Sequence, residues 1–224
     1  MDASTKTQAL PVWDVFTRLF HWGLVGAIGF AWWSGEEGGL WMSWHMIAGY
    51  AVVSLVLFRL IWGFTGSPYS RFQEFLRGPG FTLGYLKQVL TGKAPTYTGH
   101  NPLGGWMVLA LILLCAVQGI TGLFATDDIF TEGPLTSMVS GDTASFLTSV
   151  HKINFNILLA AVGLHLLGVV YHQRFKREPL VQGMIHGRKP VSDVHSHPAL
   201  APFMRGAVVA VLAVALFVTL YWIG

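Results

Sequence analysis

The sequence predicts an all-α membrane protein, with a four-helix transmembrane bundle and a fifth, C-terminal transmembrane helix. The chain has 224 residues, of which 53% are hydrophobic and only 11% charged, and its mean hydropathy is +0.53. That is too apolar for a soluble domain of this length. The apolar residues fall into five runs, each long enough to cross a bilayer. The basic residues lie almost entirely on one side of these runs.

The five predicted spans form one membrane domain over residues 1–224, with a core at residues 12–190 and an extra helix at 203–223. In order, they are Val15–Gly35, Trp44–Phe64, Pro102–Ala125, Phe146–Tyr171 and Phe203–Ile223. The first run lacks a basic n-region and a small-residue cleavage site, so we expect a retained span rather than a signal peptide.

The distribution of charge predicts the orientation. With a cytoplasmic N-terminus and a periplasmic C-terminus, thirteen of the fourteen Lys and Arg residues lie on the inner side, and only Lys152 lies outside. The outer loops carry six acids: Glu36, Glu37, Asp127, Asp128, Glu132 and Asp142. The basic pI therefore reports topology in a bacterial inner membrane and gives no reason to expect a nucleic-acid partner.

Four histidines fall at matched depths in these spans. His151 and His165 are fourteen residues apart, so they share one helix face at a separation of about 21 Å. Imidazoles at such depths need a partner, which is an acid, a metal or a haem iron. Depth pairs His45 with His151 at the outer end and His21 with His165 at the inner end. Each pair can hold one haem iron with both axial positions filled, which suits the relay of single electrons.

Smaller features agree with two haems. Arg59 shares the depth of the inner pair and Arg18 lies one turn nearer the cytoplasm, so both are candidates for haem propionates, although either could simply snorkel to the interface. Gly35 and Gly49 lie at the depth of the outer pair, where a missing side chain could admit a porphyrin edge or close helix packing. The chain has no CxxCH motif and a single cysteine, Cys115, so any haem is of the non-covalent b type.

Other histidines have weaker interpretations. His172, at the inner interface, is a candidate for quinone protonation or an ordinary interfacial residue. His100, in GHNP, is a candidate contact for a propionate or quinone, or part of the turn that caps the third span. His195 and His197 form an HxH pair that could bind a metal.

Several of these segments together resemble one family. RLFHW in the first span, RLIWGFTGSPYSRF after the second, GHNP before the third and the spacing of His151 and His165 look like the bacterial cytochrome b561 / nickel–iron hydrogenase b-type cytochrome family. The resemblance implies a four-helix dihaem core that exchanges electrons between quinone and a periplasmic partner. It also implies that His21, His45, His151 and His165 are the haem ligands. The outer loop ATDDIFTEGPL resembles members paired with soluble c-type cytochromes.

The expected function is therefore a transmembrane dihaem cytochrome that links the quinone pool to a periplasmic redox protein, namely a c-type cytochrome. Two alternatives stay open at this point: the membrane anchor and electron exit of a hydrogenase-like oxidoreductase, and a stand-alone superoxide:quinone oxidoreductase. A transporter with histidine proton relays is the non-redox alternative, and it would be colourless.

Overall fold

A computed structural model describes residues 8–127, 131–191 and 198–224, and the chain there is mainly helical. The helices are α1 (Val15–Glu37), α2 (Met42–Thr65), α3 (Phe72–Phe75), α4 (Pro79–Leu90), α5 (Pro102–Gly122), α6 (Gly141–Arg174), α7 (Leu180–His186) and α8 (Phe203–Ile223). The strands are β1 (Gln8–Pro11) and β2 (Arg188–Val191). The predictions for Asp128, His195 and His197 lie outside the described residues.

Four helices are long and apolar enough to cross a membrane: α2 with the short turn before it, α5, α6 and α8. They correspond to the last four predicted spans, including the C-terminal one. Helix α1 has 23 residues, so it is about 35 Å long and could cross the hydrocarbon layer. Helix α1 is less apolar than these four helices, because it contains several glycines and tryptophans and the polar residues Arg18 and His21.

A buried carboxylate joins the start of α1 to the end of α2. Asp14 caps α1 by accepting from the Thr17 amide at 2.8 Å and from the Thr17 hydroxyl at 2.9 Å. Its second oxygen also accepts from Ser70 Oγ at 3.1 Å and Trp62 Nε1 at 3.3 Å. Because Trp62 lies in the last turns of α2, these bonds place α1 and α2 side by side in opposite directions.

Helix α2 is central, with α1, α5 and α8 packed around it, and α6 packs on α5. At one end Arg205 of α8 donates to the Thr65 oxygen of α2 at 3.0 Å, and at the other Tyr50 of α2 shares a core cluster with Leu220 of α8. Helix α8 therefore lies along α2 from Thr65 to Tyr50. Helices α1 and α6 meet through side chains, among them Trp32 and Phe155, whose ring centres are 5.9 Å apart.

A small sheet covers the predicted inner end of the bundle. Strands β1 and β2 are antiparallel, with Gln8 opposite Val191 and Pro11 opposite Arg188. Between α7 and β2 the chain turns at Gly187, which has a φ of 80°. A Cβ at this position would lie 2.7 Å from the Trp13 oxygen. The sequence did not predict this sheet, because four-residue strands show too little alternation of polar and apolar residues.

Candidate functional site

Two imidazole rings face each other near one end of the bundle. The ring centres of His45 in α2 and His151 in α6 are 6.1 Å apart, and the ring planes are inclined at 78°. Both side chains are partly buried. These are the residues that the sequence pairs by depth, and the structure brings their rings together across the bundle.

The His45 ring is oriented by helix α1. Its Nδ1 lies 2.8 Å from the main-chain oxygen of Ala31, and because a carbonyl only accepts, Nδ1 carries the hydrogen. A Cβ at Gly35 would lie 2.9 Å from the same nitrogen, so this glycine admits the imidazole ring itself. The sequence led us to expect a porphyrin edge at Gly35. The lone pair of His45 Nε2 stays available for a metal.

The His151 ring is oriented by helix α5 in the same way. Its Nδ1 donates to the main-chain oxygen of Gln118 at 2.9 Å, and Thr121 Oγ1 is 3.4 Å away. A Cβ at Gly122 would lie 3.0 Å from Cε1 of the ring. The side-chain nitrogen of Gln118 lies 3.0 Å from His151 Nε2, so a metal at that nitrogen would take the place of the amide.

Sequence reasoning missed Gln118, Gly122 and Asn154, which all lie around His151. The available signal was the presence of two amide side chains inside apolar spans, since such groups are rare in a bilayer and usually have a role. Farther along α2, a Cβ at Gly49 would meet no atom within 4 Å, so open space lies beside the helix one turn from His45.

The second histidine pair lies about four helical turns away. His21 of α1 and His165 of α6 are close enough to interact electrostatically. The His21 ring meets Trp22 edge to face, with ring centres 4.9 Å apart. Its Nδ1 is buried and has no hydrogen-bond partner among the residues described. Unlike His45 and His151, this ring is not held by a main-chain carbonyl.

A buried arginine lies at the same end of the bundle. Arg59 is only 2% exposed, and its guanidinium carbon is 4.9 Å from the ring centre of Phe72 and 5.9 Å from that of Phe75. Over the described ranges, its Nη1 has no hydrogen-bond partner and no carboxylate lies within ion-pair distance. A buried guanidinium without a counter-ion is costly, which makes Arg59 a ready site for an anionic group.

Arg18 is partly satisfied. Its Nη1 donates to the main-chain oxygen of Ile185 at 2.7 Å, which ties α1 to α7. Its Nε is buried and without a partner in the part of the chain that the structure describes. One donor of Arg18 is therefore structural, and another is free to meet an anion.

His100 lies just before α5, between two aromatic rings. The ring centres of Trp13 and Phe75 are each 4.7 Å from that of His100. Burial lowers the pKa of His100 to about 3, and the positive charge of Arg59 acts in the same direction. His100 is therefore neutral at physiological pH and lies near both Arg59 and His165.

His172, near the end of α6, forms a separate polar cluster. Its Nε2 lies 3.2 Å from the side-chain nitrogen of Asn101, and its Nδ1 lies 3.3 Å from Glu178 Oε2. The oxygen of Asn101 meanwhile caps α5 by accepting from the Gly104 amide at 2.8 Å. His172 and Glu178 are thus two proton-carrying groups in contact, at the predicted inner end of the bundle, and Asn101 orients the imidazole ring.

The described residues contain no cluster of three or more His, Cys, Asp or Glu side chains that could hold a metal ion by themselves. The histidines instead form two pairs on facing helices. Two axial imidazoles suit a metal whose other ligands come from a macrocycle.

Comparison with known proteins shows the family. The family model for prokaryotic cytochrome b561 matches residues 12–187, most of the chain. No curated protein and no solved structure matches significantly. The match covers all four paired histidines, both arginines and the caps of α1 and α5. The chain therefore belongs to the prokaryotic cytochrome b561 family, whose members are multi-pass membrane proteins that bind b-type haem and transfer electrons.

Proposed function

We propose that this protein is a dihaem cytochrome that transfers electrons across the bacterial inner membrane, between the quinone pool and a periplasmic c-type cytochrome. Residues 1–224 form a single domain in this proposal, with the haem-binding core at residues 12–190. His45 and His151 hold the outer haem, and His21 and His165 hold the inner haem.

The geometry of the outer pair carries the proposal. Imidazole nitrogens bind metals at about 2.0–2.1 Å, so two rings on opposite sides of one iron have centres roughly 6.3 Å apart. The centres of His45 and His151 are 6.1 Å apart. Both Nδ1 atoms donate to main-chain oxygens, so both Nε2 atoms carry the lone pair that a metal needs, and at His151 the metal would replace the Gln118 amide. The residues present therefore fit a haem iron.

Buried donors at the other end fit the propionates of the inner haem. Arg59 Nη1 and Arg18 Nε are both buried and lack partners among the described residues. A propionate beside them would remove the cost of those unpaired groups. When bound, the haem would supply one-electron chemistry, and a histidine from each of two helices would hold its iron.

We place the quinone at the inner end, beside His172. Reduction or oxidation of a quinone moves protons as well as electrons, and His172 contacts both Asn101 and Glu178 there. Quinol-driven haem reduction should therefore slow in His172→Gln. His186 is exposed at the same end, so His186→Gln is the matched control.

We further propose that α1 is a fifth span, with the N-terminus in the cytoplasm and the C-terminus in the periplasm. Its 23 residues are long enough, and it lies along α2, which is itself apolar enough to span. The excess of Lys and Arg at the proposed inner end supports this orientation.

A dithionite-reduced spectrum with a haem count tests the proposal. We expect two b-type haems in the native protein. His45→Ala and His151→Ala should each remove one haem, and His21→Ala and His165→Ala should each remove the other. Retention of two haems in any of the four variants would overturn the ligand assignment, and a colourless preparation would overturn the function.

A further inference from the structure

One polar side chain is buried between α5 and α6, close to His151. Asn154 is 6% exposed and lies three residues after His151, so both project from the same side of α6. The other buried residues of this helix, Ala144 and Leu158, are apolar. An amide at this place needs an explanation, because in a bilayer it must find its partners within the protein.

Asn154 finds those partners on α5. Its Nδ2 donates to the main-chain oxygen of Leu114 at 3.0 Å and to Gln118 Oε1 at 2.8 Å. One turn away, the main-chain oxygen of Gln118 accepts from His151 Nδ1 at 2.9 Å. Three hydrogen bonds thus join α6 to the same turns of α5, and one of them holds the imidazole ring.

These bonds constrain how α6 is placed against α5. A rotation or a shift of α6 by a fraction of a turn would break both donor contacts of Asn154 and leave a buried amide unpaired. Apolar side chains at this interface would resist the same movement much less, since they can repack on another apolar surface. The height and rotation of α6 in turn decide whether His151 Nδ1 reaches the Gln118 oxygen.

We propose that Asn154 and Gln118 are positioning residues that hold His151 in its hydrogen-bonded orientation and thereby set the midpoint potential of the outer haem. This inference rests on the proposed function, in which His151 is an axial ligand of that haem. Asn154 contacts neither nitrogen of the His151 ring and acts through the placement of α6. The side-chain nitrogen of Gln118, 3.0 Å from His151 Nε2, would move aside for the iron, while the main-chain oxygen of Gln118 keeps its bond to Nδ1.

The direction of the effect follows from ligand chemistry. A hydrogen bond from Nδ1 to a carbonyl makes the imidazole a stronger electron donor, and this favours the ferric state of the iron. When that bond is lengthened or lost, the ferric state loses stabilisation and the midpoint potential rises. The ring is also freed to rotate away from its 78° inclination to His45.

The experiment compares Asn154→Leu with Asn156→Leu. Asn156 lies on the same helix but is exposed, and among the described residues it bonds only to the Lys152 oxygen of its own helix. Asn154→Gln keeps an amide donor and serves as the conservative rescue. The readouts are haem content, the two midpoint potentials and the low-spin ferric EPR spectrum. The potential missing in His151→Ala identifies the outer haem.

We expect Asn154→Leu to keep two haems and to raise only the outer potential, so that its ferrous-to-ferric ratio at a fixed potential increases at least threefold, about 28 mV. Asn156→Leu should have the native outer potential. Asn154→Gln should have an outer potential much closer to the native value than Asn154→Leu has. Gln118→Leu should act in the same direction. The double variant that combines Asn154→Leu and Gln118→Leu should shift the outer potential by less than the sum of the two single shifts, because the two side chains act as one unit.

The possible failures are distinguishable. Retention of both haems in His151→Ala would overturn the ligand assignment itself. Loss of one haem in His151→Ala, together with outer potentials and EPR spectra that are identical in Asn154→Leu and Asn156→Leu, would overturn the positioning role alone. Loss of both haems in Asn154→Leu and in Asn154→Ala would show that Asn154 supports the whole bundle, and would also overturn that role.

Discussion

Replacement of Arg59 by glutamine should lower the midpoint potential of the inner haem. Arg59 is 2% exposed, and no carboxylate in the described residues forms an ion pair with it. Asp14 is near enough to interact with Arg59, but its oxygens accept hydrogen bonds from Thr17, Ser70 and Trp62. Asp14 thus acts on Arg59 only at a distance, and the positive charge of the guanidinium favours the electron on a nearby iron.

The size of the effect follows from Coulomb's law. For a cation about 10 Å from the iron, roughly the reach of a propionate, and an effective dielectric constant of about 20, the interaction is about 1.7 kcal/mol. For a one-electron couple this is about 70 mV. Arg59→Gln should lower the inner potential by about this amount. Arg59 lies fourteen residues along α2 from His45, about 21 Å, so the outer potential should fall by no more than about half as much.

A redox titration of the α-band absorbance in detergent or nanodiscs measures both potentials. Arg59→Lys keeps the charge and should retain most of the native potential. Arg205→Gln removes an exposed arginine from the same end of the bundle, where its Nη1 bonds to the Thr65 oxygen, and should change neither potential. An inner potential in Arg59→Gln equal to that of the native protein would refute the assignment of Arg59 to a propionate.

Three further predictions address other parts of the chain. Gly35→Ala should lower the occupancy of the outer haem, because the added Cβ would lie 2.9 Å from His45 Nδ1, whereas Gly26→Ala, with nothing within 4 Å, should have no effect on the haem count. The folded-state pKa of His100, about 3, is below its ordinary value of 6.5, so the native protein should lose stability as the pH falls below 6.5 towards 3. His100→Gln should flatten that loss in thermal melts between pH 4 and 7, and parallel melting curves would contradict the idea. Asp127, Asp128 and Glu132 should be changed to amides together. This change should slow electron exchange with a basic c-type cytochrome and make the exchange rate less dependent on salt, without altering haem content.

The depths of the histidines could be predicted because membrane helices impose a simple geometry. A rise of about 1.5 Å per residue and alternating directions of neighbouring spans are enough to pair His45 with His151. The structure places the ring centres of these two residues 6.1 Å apart. Four of the five predicted spans also appear as helices of spanning length and hydropathy.

The details around each ring could not be predicted from sequence in the same way. Main-chain oxygens, those of Ala31 and Gln118, hold the two outer imidazoles, and a main-chain carbonyl has no signature in side-chain patterns. The role of Gly35 was only partly anticipated. Its lack of a side chain matters at the predicted depth, but the group that uses the space is His45. Asn154 was visible as a polar residue in an apolar span, yet its partners depend on the rotation of α6 against α5.

The two ends of the bundle differ in a way that bears on the direction of electron flow. At the outer end, neutral carbonyls accept from both ring nitrogens, which strengthens the ligands and favours a ferric iron. At the predicted inner end, Arg59 and Arg18 have buried donors without partners among the described residues, and His100 lies near both Arg59 and His165; positive charge there favours a ferrous iron. Under the proposed ligation, the carbonyls lower the potential of the outer haem and the arginines raise the potential of the inner haem. An electron is therefore more stable on the inner haem than on the outer one. Under the proposed function, we therefore expect transfer from a periplasmic donor towards a quinone at the cytoplasmic end to be the downhill direction.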